Sequence, residues 1–189
     1  MATLQTPVDR LHGEFTQLLT FLDANGEVSL RSAVDGNFRK TLLLAAASYF
    51  ERRLTNSIAD YVAETTSTDH VVRWLVERKA VERQYHTWFD WNKRNANQFF
   101  KLFGRAFGDH AKALVDNSES LSSSVHAFLE IGRDRNRLVH QDFASFPLEK
   151  TSKEIYETYR SAREFVEWFP QELRRFSDMT RSERETEDG

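Results

Sequence analysis

The sequence contains no cysteine. That removes disulfide bridges and every zinc site built on thiolates, and it fits a reducing, cytoplasmic compartment. Glycine and proline are scarce, with seven and three among 189 residues, so the turn signals that punctuate a β-rich chain are few. Long hydrophobic runs are missing as well, the longest purely apolar stretch being Leu42 to Ala47. A membrane-spanning helix needs about 20 apolar residues, and no basic stretch followed by an apolar run opens the chain between Met1 and Arg10. The expectation is a chain with neither a membrane span nor a signal peptide. Excess charge is also small: the formal net charge of −3 argues against a broad phosphate-coating surface and leaves room only for a local basic site.

What is present is helical spacing. The chain is 40% hydrophobic, enough for one substantial core, and its length favours one domain. Pro7 is placed to open a first helix, with Leu11, Phe15, Leu18, Leu19 and Leu22 on one stripe before Asn25-Gly26 stops it. After an expected Asp35-Gly36 turn, a long second helix from Phe38 to about Ala63 carries Leu43, Ala46, Phe50, Leu54, Ile58 and Tyr61. The Thr65 to Thr68 cluster ends it, and a short helix from about His70 to Arg78 presents Val71, Trp74 and Leu75. Four of the seven residues from Tyr85 to Trp91 are aromatic. They could stack on bases, but such side chains more often fill a core, and the core reading is taken. A helix from Ala96 carries Phe99, Phe100, Phe103 and Phe107 and is expected to close at Gly108. Asp116 and Glu119, then Thr151 and Glu154, have capping-box spacing and are expected to open the last two helices. The fold class is all-α, with a single helical domain over 1–176 and a charged tail over 177–189 that is expected to be disordered.

The penultimate helix carries an anomaly. Its apolar stripe runs Leu121, Val125, Phe128, Gly132, then Arg135, then Leu138 and Val139, so a guanidinium stands where an apolar side chain belongs. A charge in such a place needs a carboxylate, a subunit interface or an anionic ligand. Asn136 and His140 are four residues apart and share a helix face, so the amide is placed to orient the imidazole. Arg135 and His140 lie about 140° apart on an ideal helix. For both to meet one phosphate, the last turn must bend or unwind, or a second copy of the helix must supply the other group. The plain alternative is that Arg135 pairs with a core carboxylate and that His140 merely complements the helix dipole.

The wider string Gly132-Arg133-Asp134-Arg135-Asn136-Arg137-Leu138-Val139-His140 resembles the signature of the HEPN superfamily, in which an Arg, a polar residue, a few variable positions and a His lie near the end of a late helix. Within that superfamily the chain looks most like the RiboL-PSP group. Arg39 to Asp60, with its Ser48-Tyr49-Phe50-Glu51 core, and Asn95 to Gly104 add to the likeness, which covers about Leu11 to Phe176. The resemblance implies an HEPN-like bundle of long antiparallel helices. It also implies a metal-independent RNA endonuclease whose site forms across a homodimer, with Arg135 and His140 as catalytic residues and Asn136 beside them. No cofactor is implied. The products would be a 2′,3′-cyclic phosphate and a 5′-hydroxyl, and the biological role that of a toxin or antiviral-defence effector held in check by an antitoxin or an ATPase.

Other residues carry weaker signals. Glu51 lies one position off the stripe of the second helix and is a candidate partner for Arg135 or Arg133, against the plainer reading of a solvated salt bridge. Arg133 and Arg137 flank the motif as candidate RNA-phosphate contacts, although helix charges commonly just face water. His12, His70, His86, His110 and His126 show no metal-ligand spacing, and no Gly-rich phosphate loop or Ser-centred elbow appears. Two other classes of function remain beside the enzyme: a catalytically silent module that binds RNA or a partner protein, and a purely structural dimerisation domain.

Overall fold

A computed structural model of the chain describes residues 5–66 and 71–187. Among the described residues the architecture is all-α: α1 (Pro7–Ala24), α2 (Val28–Thr65), α3 (Val71–Val76), a π-turn (Glu77–Val81), α4 (Tyr85–Trp88), α5 (Asn97–Lys101), α6 (Arg105–Asp116), α7 (Glu119–His140) and α8 (Ser152–Glu187). His70, Ser67 and Thr68, which figure in the expected helix boundaries, lie outside the described residues. No helix among the described residues is long and apolar enough to cross a membrane.

Local chemistry sets several helix ends as the sequence suggests. Thr6 caps α1 in a reciprocal box with Asp9, and Pro7 follows at a position where its missing N–H costs nothing. At the start of α8 the Thr151 and Glu154 side chains exchange bonds with each other's backbone N–H at 2.8 and 3.2 Å. The Thr151 backbone bond, then its hydroxyl, holds the Glu154 carboxyl below the usual carboxylate range. Asn25 ends α1, and Gly26 turns the chain at a φ of 71°.

Four expectations are corrected. The Asp35-Gly36 turn does not exist: α2 runs unbroken for 38 residues and includes both. Glycine costs a helix interior only about 1 kcal/mol relative to alanine, and Phe38, Leu42 and Leu43, all buried just beyond it, repay continuing the helix. The break after the Phe99-Phe100 pair falls at Gly104, whose φ of 97° suits only glycine, and not at Gly108. Gly108 instead lies buried within α6, where an added Cβ would stand 3.3 Å from the Lys101 Cα. Asp116 is the last residue of α6, paired with Lys112, and the side chain at the start of α7 is Ser118, which accepts from the Leu121 N–H at 3.2 Å. Finally, the charged segment from Ser177 continues α8 as far as Glu187. Its Arg, Glu and Met are good helix formers added to a helix already nucleated, where each further residue gains a bond without a new nucleation cost.

The described contacts form two compact units, with boundaries inside α2, α7 and α8. One contains the described residues up to Tyr49 together with Glu130–Arg160. Phe38, Leu42, Leu43, Leu138, Phe146, Ile155 and Tyr159 are buried in it. The Tyr159 hydroxyl shares a buried 2.6 Å hydrogen bond with Thr6, while Tyr156 donates to Asp9 and stacks on His12. The other unit contains Phe50–Leu129 and the described residues from Ser161 onward. Here Phe89, Phe99, Phe100, Phe107, Phe128, Phe165 and Phe169 are buried, so the expected packing role of the aromatic clusters holds for these rings. Ser124, fully buried on α7, accepts from the Phe165 N–H of α8 at 2.7 Å. Trp88 donates from its indole N–H to the Ala80 carbonyl of the π-turn at 3.0 Å.

The two glycines give a paired stability test. Gly104→Ala should cost about 1–3 kcal/mol, the usual penalty for holding a side chain at such a backbone position. Gly36→Ala, with nothing within 4 Å of the new Cβ, should gain up to about 1 kcal/mol. Thermal unfolding followed by circular dichroism checks both: equal shifts of the two midpoints would contradict the assigned break at Gly104.

Candidate active site

The residues of the Arg-His string fall in the first unit, on the last turns of α7. Helix α7 remains α-helical through His140. The last turn is therefore not unwound, and Arg135 and His140 project about 140° apart around the axis. Arg135 is half-buried, whereas His140 stands exposed at the C-terminal end. Among the described residues of this unit, Arg135 has no carboxylate partner, and its Nη1 donates to the Asn136 Oδ1 at 3.1 Å. The amide expected to orient His140 is thus engaged by the guanidinium next to it. A long Arg side chain can fold back along its helix to reach a neighbour's carbonyl oxygen, which the four-residue spacing rule does not anticipate. The His140 side chain has no hydrogen bond or ion pair among the described residues of its unit.

The acid beside the motif arginine is the buried charged member of the string. Asp134 is only 7% exposed and accepts from the Lys150 Nζ at 2.5 Å. Lys150 also pairs with Glu130, one turn earlier on α7, at 2.5 Å. Burial lowers the Lys150 pKa, but the hydrogen bonds and charges of Asp134 and Glu130 outweigh it, and the net effect is an upward shift. The stabilisation from this bridge is therefore complete below the ordinary ammonium value and fades only as pH rises through the raised one. Arg137 is exposed, with its Nη1 4.0 Å from Asp134 and its guanidinium 5.7 Å from the ring of buried Phe146. Arg133 is half-buried. Glu51 lies on α2 in the second unit, half-buried, and its backbone carbonyl accepts from Thr55.

Beyond His140 the chain turns through residues 141–151. The Asp142 carboxylate accepts from the Ser145 hydroxyl and the Ala144 N–H, which hold its pKa down, and the Phe146 N–H donates to the Asp142 carbonyl. Lys40 of α2, only 8% exposed, donates to the carbonyls of Phe143 and Ala144 at 2.6 and 3.1 Å. Sequence reasoning missed Lys40, Asp134 and Lys150. Lys40 carried a readable signal, a cation three residues before Leu43 on the helix side that continues through buried Leu43 and Ala47. The Asp134–Lys150 bridge carried none, because it joins residues brought together only by the turn. Among the described residues no group of three or more His, Asp or Glu is placed to hold a metal.

With this geometry in place, comparison with protein families matches residues 9–174 to the family described as RiboL-PSP-HEPN. No curated protein and no solved structure matches the chain.

Proposed function

The chain belongs to the RiboL-PSP-HEPN family, and on that premise we propose that it is a metal-independent RNA endonuclease whose active site is shared by two subunits of a homodimer, each giving Arg135 and His140. The observation that carries this reading is the unbroken last turn of α7, with a half-buried guanidinium and an exposed imidazole on different sides of one helix. One helix cannot aim both groups at one phosphate. A second copy related by a twofold axis supplies an opposed Arg and His, which is how an isologous interface doubles every group near its axis.

The chemistry needs nothing beyond those groups. The ribose 2′-oxygen attacks the adjacent phosphorus as one imidazole takes its proton, and the bond from phosphorus to the 5′-oxygen breaks as the other, protonated imidazole gives that oxygen a proton. The two guanidiniums hold the phosphate and stabilise the charge that builds on its oxygens in the pentacoordinate transition state. RNA is left with a 2′,3′-cyclic phosphate and a 5′-hydroxyl. Asn136 steers the Arg135 guanidinium, and Arg133 and Arg137 extend the basic surface along the RNA. Glu51 is assigned an interface or supporting role. By family analogy alone, the protein is read as a cytoplasmic toxin or antiviral-defence effector, restrained by an antitoxin or an ATPase.

The test is incubation of the purified protein with total RNA in EDTA, with analysis of the fragment ends. Cleavage is expected to persist, with 5′-hydroxyl ends that accept phosphate from a kinase without prior phosphatase treatment. Activity lost in EDTA and restored by magnesium would refute the metal-free mechanism. RNA retained in a gel shift but never cut would leave a catalytically silent binding module in its place.

A further inference from the structure

The end of α7 faces a general difficulty: the last carbonyls of a helix have no partners in the helix, and the chain that follows must be held by something else if a side chain there is to keep one position. His140 is that terminal residue. The turn after it is closed locally by Asp142, which gathers the Ala144 N–H and the Ser145 hydroxyl, and by the bond from the Phe146 N–H to the Asp142 carbonyl. Those bonds shape the turn but do not fix it to the body of the unit. The fixing comes from Lys40. Its ammonium is nearly excluded from solvent, donates to two consecutive carbonyls of the turn at 2.6 and 3.1 Å, and lies 5.3 Å from the centre of the Phe143 ring. The Asp142 carboxylate feels its charge.

Lys40 is thus engaged inward, unlike the exposed Arg137, and it does not meet an RNA phosphate while these bonds stand. At the far end of the same segment Lys150 is bound to Asp134 and Glu130 of α7. The segment that begins at His140 is therefore anchored at both ends by buried or half-buried ammonium groups, one on α2 and one its own.

We propose that Lys40 is a positioning residue for His140: by holding the Phe143 and Ala144 carbonyls it fixes the turn, and through the turn the place of the imidazole. The proposal rests on the nuclease reading for its catalytic consequence, but its physical content, the placement of His140, is measurable without catalysis. A lysine that only stabilised the fold would lower the unfolding midpoint and leave a folded variant's His140 environment and turnover unchanged. A positioning lysine acts on both in protein that remains folded.

The experiment compares the full chain as wild type, Lys40→Met, Lys40→Arg and Lys40→Gln, with the histidine ring signals assigned by NMR and amide exchange measured along the backbone. In Lys40→Met the His140 ring resonances are expected to move and the amides of residues 142–146 to exchange at least about tenfold faster, as for any turn released from its anchor. Lys40→Arg should bring the resonances back toward wild type. Lys40→Gln keeps a polar group with a shorter reach and cannot hold both carbonyls as the ammonium does, so it should move the His140 signals in the same direction even if Lys40→Met fails to fold. In the cleavage assay Lys40→Met should lower kcat about tenfold or more with KM unchanged. His140 signals and 142–146 exchange that stay at wild-type values in folded Lys40→Met, or in Lys40→Gln should the Met variant not fold, overturn the proposal. Wild-type protein that never cleaves RNA overturns the nuclease reading instead and leaves the NMR result to decide the placement of His140.

Discussion

His140→Ala is expected to lower RNA cleavage by roughly 10²–10⁴-fold, the usual contribution of a positioned general acid or base, while leaving the helical content and unfolding midpoint close to wild type. The stability half of the expectation comes from the structure. His140 is exposed at the last position of α7, and its side chain has no hydrogen bond or ion pair among the described residues of its unit, so alanine forfeits little there. The activity half comes from the proposed chemistry, in which imidazole is the group that moves protons at both the attacking and the leaving oxygen. His140→Gln separates proton transfer from hydrogen bonding, because the amide can donate and accept but cannot carry a proton away. It should be as inactive as the alanine variant. Rates of cleavage of a defined RNA, with circular dichroism on the same samples, decide the matter: wild-type cleavage by folded His140→Ala removes the residue from the mechanism.

How much of this was legible in the sequence depended on how local each signal was. Pro7, and Thr151 with Glu154, could be read directly because a helix start is settled by residues within one turn. Gly36 misled because glycine is a weak breaker that tertiary packing overrides, and the buried Phe38 and Leu42 beside it carry that packing. Gly104 and Gly108 exchanged roles for a related reason: a positive φ at one and a close approach to Lys101 at the other are properties of the folded backbone, and the letters alone do not distinguish them. At the site, Arg135 stood out because a cation interrupts an apolar stripe. Lys40 interrupts one too, but its consequence depends on the carbonyls of a turn 103 residues further on. Asp134 was the least legible, an acid between two arginines that reads as a solvated charge until Lys150 folds back onto it.

Arg135→Ala should reduce cleavage by roughly 10²–10³-fold or more, because a preorganised cation aimed at the developing charge commonly contributes that much and a shared site would lose it twice. The proposed subunit arrangement makes the variant more informative than a single rate. Wild type unfolded, mixed with an excess of Arg135→Ala and refolded forms mostly heterodimers, whose shared site keeps both imidazoles but only one guanidinium. Activity in the mixture should therefore fall well below that of the same amount of wild type refolded alone, and light scattering should show dimers in every sample. If each chain carried a complete site of its own, every wild-type chain in the mixture would keep its full activity and the variant would subtract nothing. Dimeric samples whose activity simply equals that of their wild-type chains would contradict a site shared across the twofold axis, whatever the rate of the variant alone.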